Sequence, residues 1–158
     1  MAEKFYHTNI KNEIKRIAEA SQKYKQVGIE TKVPLPHPNM ELVFHYKPEA
    51  ILITKAGKKY IFEVLDDQLK DYNLIVADII QSYLVENISK VFFISKNDEG
   101  TKLTRKLSGV IGAILEKKGF FRSERPDVLV YTIAYKEARS CKRLNKILKG
   151  FAKKDKWN

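Results

Sequence analysis

Five consecutive residues, Val91-Phe92-Phe93-Ile94-Ser95, constrain the fold more than any other stretch of the chain. A strand with one face in water alternates apolar and polar side chains, and this run does not alternate. It reads as a central strand covered on both sides, which takes helices above and below the sheet. The rest of the chain supplies them. Ile10, Ile14, Ile17 and Ala18 recur at helical spacing, in a helix capped by Thr8 or Asn9 and expected to reach about Gln26, with Gly28 ending it. Gly28–Val33 reads as a short strand, and Pro34, Pro36 and Pro38 set an extended loop after it. Met40–Tyr46, Ala50–Thr54 and Tyr60–Leu65 are three strand-like runs, the last two joined by a turn at Lys55-Ala56-Gly57-Lys58.

A second helix, capped by Asp66 or Asp67, is expected to reach Asn87, with Leu69, Tyr72, Val76, Ile79, Ile80 and Tyr83 as its buried stripe. A third begins at Gly100-Thr101 and runs through Lys118, and Asp127–Tyr135 is the last strand. Ala138–Ala152 is a basic amphipathic helix with Leu144, Ile147, Leu148 and Phe151 inward. The order αβββαβαβα predicts a single α/β domain over residues 1–158, with a mixed β-sheet and helices on both faces. A length of 158 residues fits one such domain.

Charge narrows the partners. Thirty Lys and Arg against 19 Asp and Glu give a formal charge of +11. The excess is terminal: residues 1–26 hold a net +3, and residues 136–158 hold nine cations against two anions. The expected partner is a polyanion, DNA first and RNA second, rather than a membrane surface. Lys outnumbers Arg by 24 to 6, which favours phosphate contacts over the bidentate reading of base edges. The plain alternative is a Lys-rich solubilising surface. No apolar run approaches a membrane span, and Met1–Ala20 lacks the apolar centre of a signal peptide. The lone cysteine, Cys141, fits a reducing compartment and has no partner pattern for a nucleophile. A cytoplasmic location is expected, the host cytoplasm if the chain is viral.

The chemistry is expected in the middle of the chain. Pro48-Glu49 precedes one strand, and Glu63 interrupts the otherwise apolar Tyr60–Leu65. Period two puts Glu63 on the face of Ile61 and Leu65, where it is partly buried. A buried carboxylate needs a cation, a metal or hydrogen-bond donors, or it stays protonated. Two carboxylates on neighbouring strands can share Mg²⁺ (or Mn²⁺), which activates water and offsets charge at a phosphodiester. The structural alternatives are a solvent-facing Glu49, and a Glu63 paired with a Lys or Tyr at the core edge.

On these residues the chain resembles the PD-(D/E)xK, restriction-endonuclease-like, nucleases. The order αβββαβ from Thr8 to Ser95 is similar to that family's core. Pro48-Glu49 stands at its Pro-Asp, Glu63-Val64-Leu65 at its (D/E)-x-K, and Gln81-x-Tyr83 at the Gln and Tyr of the following helix. The resemblance implies that Glu49 and Glu63 are catalytic metal ligands, with Glu13 or Glu19 as a further carboxylate. Leu65 departs from it, since the family has a lysine there; Lys58, Lys59 and Lys70 are the nearest replacements in sequence. Size and composition also resemble, more loosely, the small orphan nucleases of archaeal filamentous viruses.

Other candidates follow from helical phase. Asp71 and Asp78 fall opposite the expected stripe and are predicted to be solvated. Glu86 falls at its flank, in a last turn where the helix dipole disfavours an anion, and is the further catalytic candidate, as general base or metal ligand. Its plain reading is a surface glutamate or an ion pair with Lys90. His7, His37 and His45 carry no metal-binding signature and are expected to be ordinary surface or partly buried residues. In the tail, Arg139, Lys142, Arg143, Lys146, Lys149, Lys153 and Lys154 are expected to lie along phosphates, with Trp157 stacking on a base.

The expectation is a metal-dependent nuclease that hydrolyses DNA phosphodiesters with little sequence specificity. Its rivals are a nucleic-acid-binding protein on a nuclease-like scaffold and a viral or chromatin structural protein.

Overall fold

The computed structural model describes residues 2–35, 44–65, 72–121, 124–134 and 142–154. Helix α1 (Ala2–Ser21) buries Tyr6, Ile10, Ile14, Ile17 and Ala18 along one face. It ends five residues short of the expected Gln26. Gln22 takes a left-handed φ of 54°, and the Ser21 hydroxyl bonds back to the Ala18 carbonyl at 2.8 Å. The chain then forms β1 (Tyr24–Ile29), because Tyr24, Val27 and Ile29 are drawn onto the core. Strand burial overrides a sequence that continues the helical pattern.

The expected first core strand, Met40–Tyr46, is therefore corrected. Residues 36–43 lie outside the described ones, and β3 (Phe44–Tyr46) pairs with β2 (Val33–Leu35) in a separate two-stranded sheet. Both strands of such a pair are edges, so Pro34 and its missing N–H are tolerated there. The role of first core strand falls to β1, antiparallel to β4 (Ala50–Thr54). β4 turns into β5 (Lys59–Leu65) through Gly57, whose φ of 85° and N–H to the Thr54 carbonyl close the hairpin.

From β5 the chain runs through α2 (Tyr72–Tyr83), β6 (Ile88–Ser95), α3 (Asp98–Lys117), β7 (Asp127–Thr132) and α4 (Lys142–Lys154). The main sheet has the order β1-β4-β5-β6-β7, antiparallel up to β5 and parallel from β5 to β7. The fold is thus a single-domain α/β structure with a mixed sheet. Residues 91–95 of β6 are all buried, as a doubly covered central strand requires.

The two faces carry different helices. Phe62, Val64, Phe92 and Ile94 pack with α1 and with Leu144 and Leu148 of α4, and the Phe62 and Phe92 rings stack at 4.4 Å. Leu65, Val91, Phe93 and Val130 pack on the other face against Ile75, Ile79 and Tyr83 of α2, with Leu103, Leu107 and Ile111 of α3 alongside. Tyr72 is 59 % exposed rather than inward, so the buried stripe of α2 is Ile75, Ile79, Ser82 and Tyr83. Leu69, Asp71 and the expected caps Asp66 and Asp67 lie outside the described residues.

β7 closes the described sheet as an edge strand. The Ile133 N–H bonds to the Ser95 carbonyl, so odd-numbered residues of β7 face β6 while Val130 and Thr132 point their carbonyls outward. Both outward carbonyls are capped by guanidinium groups from opposite faces. Arg105 of α3 donates to Val130 at 3.1 Å, and Arg143 of α4 donates to Thr132 at 2.9 Å.

Candidate functional site

β5 outruns β4 by design of the register: Ala50 pairs with Phe62, so Glu63, Val64 and Leu65 extend past the start of β4. Glu49 is the residue just before that start, and its backbone N–H donates to the Glu63 carboxyl. The two sequence candidates are therefore neighbours at the C-terminal end of β5. Glu63 is buried, and Tyr46 of β3 donates its hydroxyl to Glu63 Oε1. The expected alternative, a tyrosine at the core edge, is thus present beside the carboxyl.

A third acid joins them. Asp78 of α2 lies close enough for its charge to act strongly on Glu63, and Glu49 acts likewise on Asp78. The prediction that Asp78 is solvated is corrected. The true stripe of α2 runs through Ile75 and Ser82, and Asp78 sits about 60° round the helix from Ile75, at the margin of the buried face.

Burial first, and then the negative charge of Asp78, push the Glu63 carboxyl well above the usual carboxylate range, although the Tyr46 and Glu49 donors oppose the shift. Burial and then Glu49 push Asp78 up to about 6. Burial raises the Tyr46 hydroxyl as well, followed by the charge of Glu63. Burial and neighbouring negative charge thus resist the ionisation of Glu63 and of Asp78.

Helix α1 brings the cations. Lys11 Nζ lies 3.4 Å from Glu49 Oε2 and 3.1 Å from Glu30 Oε1. Burial disfavours its charge, but Glu30 and Glu49 together outweigh that and raise its pKa, while Lys11 in turn lowers that of Glu30. One turn earlier, His7 Nε2 donates to the Val64 carbonyl at 2.8 Å and lies 3.8 Å from Glu49 Oε1. The i, i+4 spacing sets both side chains on one side of α1. His7 is partly buried, as expected, and stands beside Glu49.

Several candidates are placed elsewhere. Glu86 is exposed beyond the end of α2, and its carbonyl accepts from Lys59 Nζ at 3.0 Å. Lys59 opens β5 four residues before Glu63, which puts Glu86 about 13 Å away along the strand. That contact also removes Lys59 as the replacement lysine, and Lys58 sits in the same hairpin. Lys70 lies outside the described residues. Glu13 pairs with Arg16 at 2.8 Å and Glu19 is exposed. Tyr83 is spent in the core, donating to the Ser108 carbonyl at 2.9 Å. Leu65 is buried in the α2–α3 core. Among the described residues the ammonium paired with Glu49 is that of Lys11, a residue that no sequence pattern singled out.

On α4, Lys142, Arg143 and Lys146 are exposed opposite the buried Leu144 and Leu148. Arg143 spends one donor on Thr132. The side chains of Lys149, Lys153 and Lys154, and the whole of Arg139, Cys141 and Trp157, lie outside the described residues, as does His37. His45 is exposed on β3.

The donors suit a hard divalent cation. Glu49 Oε2 is buried and makes no hydrogen bond among the described residues, where Lys11 faces it, and burial and neighbouring charge disfavour the ionised forms of Asp78 and Glu63. Among the described residues no group of three or more His, Cys, Asp or Glu side chains is placed to hold a metal ion, so a cation here would rest on two carboxylates. Mg²⁺ commonly takes one or two carboxylates and completes its shell with water and phosphate oxygens. Among the described residues no helix is long and apolar enough to cross a membrane. Comparison with protein-family models, curated proteins and solved structures finds no match to the chain.

Proposed function

We propose that the protein is a metal-dependent nuclease that hydrolyses DNA phosphodiesters with little sequence specificity. The observation that carries this reading is the coupled acid set Glu49, Glu63 and Asp78 with Lys11 at its edge. Carboxyls pushed up by burial and a neighbouring negative charge, as Glu63 and Asp78 are, gain most from a cation that ionises them. Glu49 and Glu63 would hold Mg²⁺ or Mn²⁺, and Asp78 would add its charge from α2. Such an ion supplies Lewis-acid stabilisation at the phosphate and a water of lowered pKa.

The chain's own groups do the rest. Glu49 and Glu63 are fixed relative to each other by a backbone hydrogen bond, so their separation does not depend on flexible side chains alone. Tyr46 orients the Glu63 carboxyl. Lys142, Arg143 and Lys146 give α4 a basic outer face for the phosphate backbone, which attracts DNA without reading bases. Glu86 has no part in this site. The reading places the protein in a reducing cytoplasm, that of a host if the chain is viral.

The test is incubation of purified protein with linear and circular DNA in Mg²⁺ or Mn²⁺. Cutting of both, abolished by a chelator, is expected; intact DNA under all conditions refutes the reading. A second reading, DNA or RNA binding without cleavage, is favoured by one observation, the buried leucine at position 65 where the resembled nucleases carry lysine. Salt-sensitive binding with no metal effect on melting would select it.

A further inference from the structure

Lys11 is shared by two carboxylates that the backbone locks together. Glu30 follows β1 directly, and its N–H bonds to the Glu49 carbonyl at 3.1 Å. Glu30 holds a left-handed φ of 49°, a conformation that a residue with a side chain adopts at some cost. The two side chains then meet the same ammonium, at 3.1 Å from Glu30 and 3.4 Å from Glu49. They differ in setting. Glu30's side chain is 50 % exposed, whereas that of Glu49 is 22 % exposed and faces the acid set.

We infer that Lys11 is an exchangeable counter-cation for the acid site, and that Glu30 is the positioning residue that keeps it there. This rests on the nuclease reading above. A divalent ion taking Glu49 repels the ammonium, and with one carboxylate partner Lys11 would swing into solvent. With two, it releases Glu49 and stays on Glu30, beside the acids and at the solvent-facing rim, where a substrate phosphate oxygen arrives. Glu30 thus acts through Lys11 and touches neither ion nor substrate.

The sign of the effect separates this role from a merely structural one. Lys11→Met removes a competing positive charge and should tighten Mn²⁺ binding roughly tenfold, the size expected for one charge near a divalent ion in partly wet surroundings. Glu30→Gln leaves the ammonium to Glu49 alone and should weaken Mn²⁺ binding several-fold, with Glu30→Asp restoring most of it. A simple loss of folding would weaken both. The experiment is calorimetric titration of Mn²⁺ into the full chain and these variants, with the Lys11 side-chain NMR signal of the wild type followed during a Mg²⁺ titration. Opposite shifts for the two variants, and a Lys11 signal that moves in step with binding, are expected. Metal binding with Lys11→Met unchanged or weaker, or with a stationary Lys11 signal, overturns the inference and leaves the nuclease reading standing. No binding heat in any of the proteins overturns the nuclease reading, and this inference with it.

Discussion

Asp78 on α2 lies within electrostatic range of Glu63 on β5, and after burial its charge is the strongest influence against ionising Glu63. A folded protein that sets two carboxyls so close, with Glu49 beside them, sacrifices stability at neutral pH. In the proposed nuclease, a cation at this place would relieve that cost.

That cost predicts an unusual pH profile. Burial and then Glu49 raise Asp78 from 3.8 to about 6, and burial and then Asp78 hold Glu63 well above its ordinary 4.5. A raised carboxyl pKa means that the folded state binds the proton more tightly than the unfolded chain does. Its stabilising share is full below about pH 4 and is lost as pH climbs through 6 and beyond. Without divalent ions, these groups should make the protein melt at lower temperature at pH 8 than at pH 5. Asp78→Asn should flatten the profile and gain on the order of 1–2 kcal/mol at pH 8, after allowance for solvent screening. Urea unfolding at both pH values measures it; a variant less stable than wild type at pH 8 contradicts the assignment.

The same residues show how far the sequence could be read. Glu63 is legible because a carboxylate in an apolar strand needs a partner, here the Tyr46 hydroxyl, and Glu49 because a short hairpin sets the start of β4 beside the end of β5. The central strand was legible for the reason that its apolar run cannot face water. Asp78 was missed because the helix phase was set on Tyr72, which the structure exposes, and a turn of about 60° moves a residue from solvent to the margin of the core. Lys11 and His7 were missed because their approach to Glu49 depends on how α1 lies on the sheet, which local pattern does not encode. The first half of β1, Tyr24–Gln26, continues the helical pattern in sequence while Gly28 and Ile29 fall in the expected Gly28–Val33 strand, and only a neighbour, β4, gives the whole of Tyr24–Ile29 a reason to extend. Glu86 fitted a groove flank on an ideal helix reaching Asn87, but α2 stops at Tyr83.

Binding of DNA through α4 has its own signature. Lys142 and Lys146 are exposed and free of the core, so Lys142→Ala with Lys146→Ala should weaken binding about equally for all sequences. The slope of log K against log salt should fall by roughly 2. Fluorescence anisotropy at several salt concentrations measures it, and an unchanged slope would exclude these lysines from the interface.

The guarded edge of β7 makes a different prediction. Val130 and Thr132 would otherwise offer a row of outward carbonyls to a second strand. The double variant Arg105→Ala, Arg143→Ala should self-associate in a concentration-dependent way, while loss of each bond costs only about 0.5–1.5 kcal/mol of stability. Light scattering against concentration gives the answer; a strictly monomeric double variant that melts like wild type would show that the guanidinium caps guard nothing.

In the proposed nuclease the acids at the end of β5 do the cutting, and one pair of variants tests this. Glu63→Gln and Glu86→Gln are assayed beside wild type on the same DNA in Mg²⁺, with melting curves confirming that both variants fold. The account predicts that Glu63→Gln loses at least about a hundredfold in cleavage rate, as removal of a metal-holding carboxylate does, and that Glu86→Gln cuts like wild type. Full activity in a folded Glu63→Gln protein, or loss of it in Glu86→Gln alone, would contradict the account.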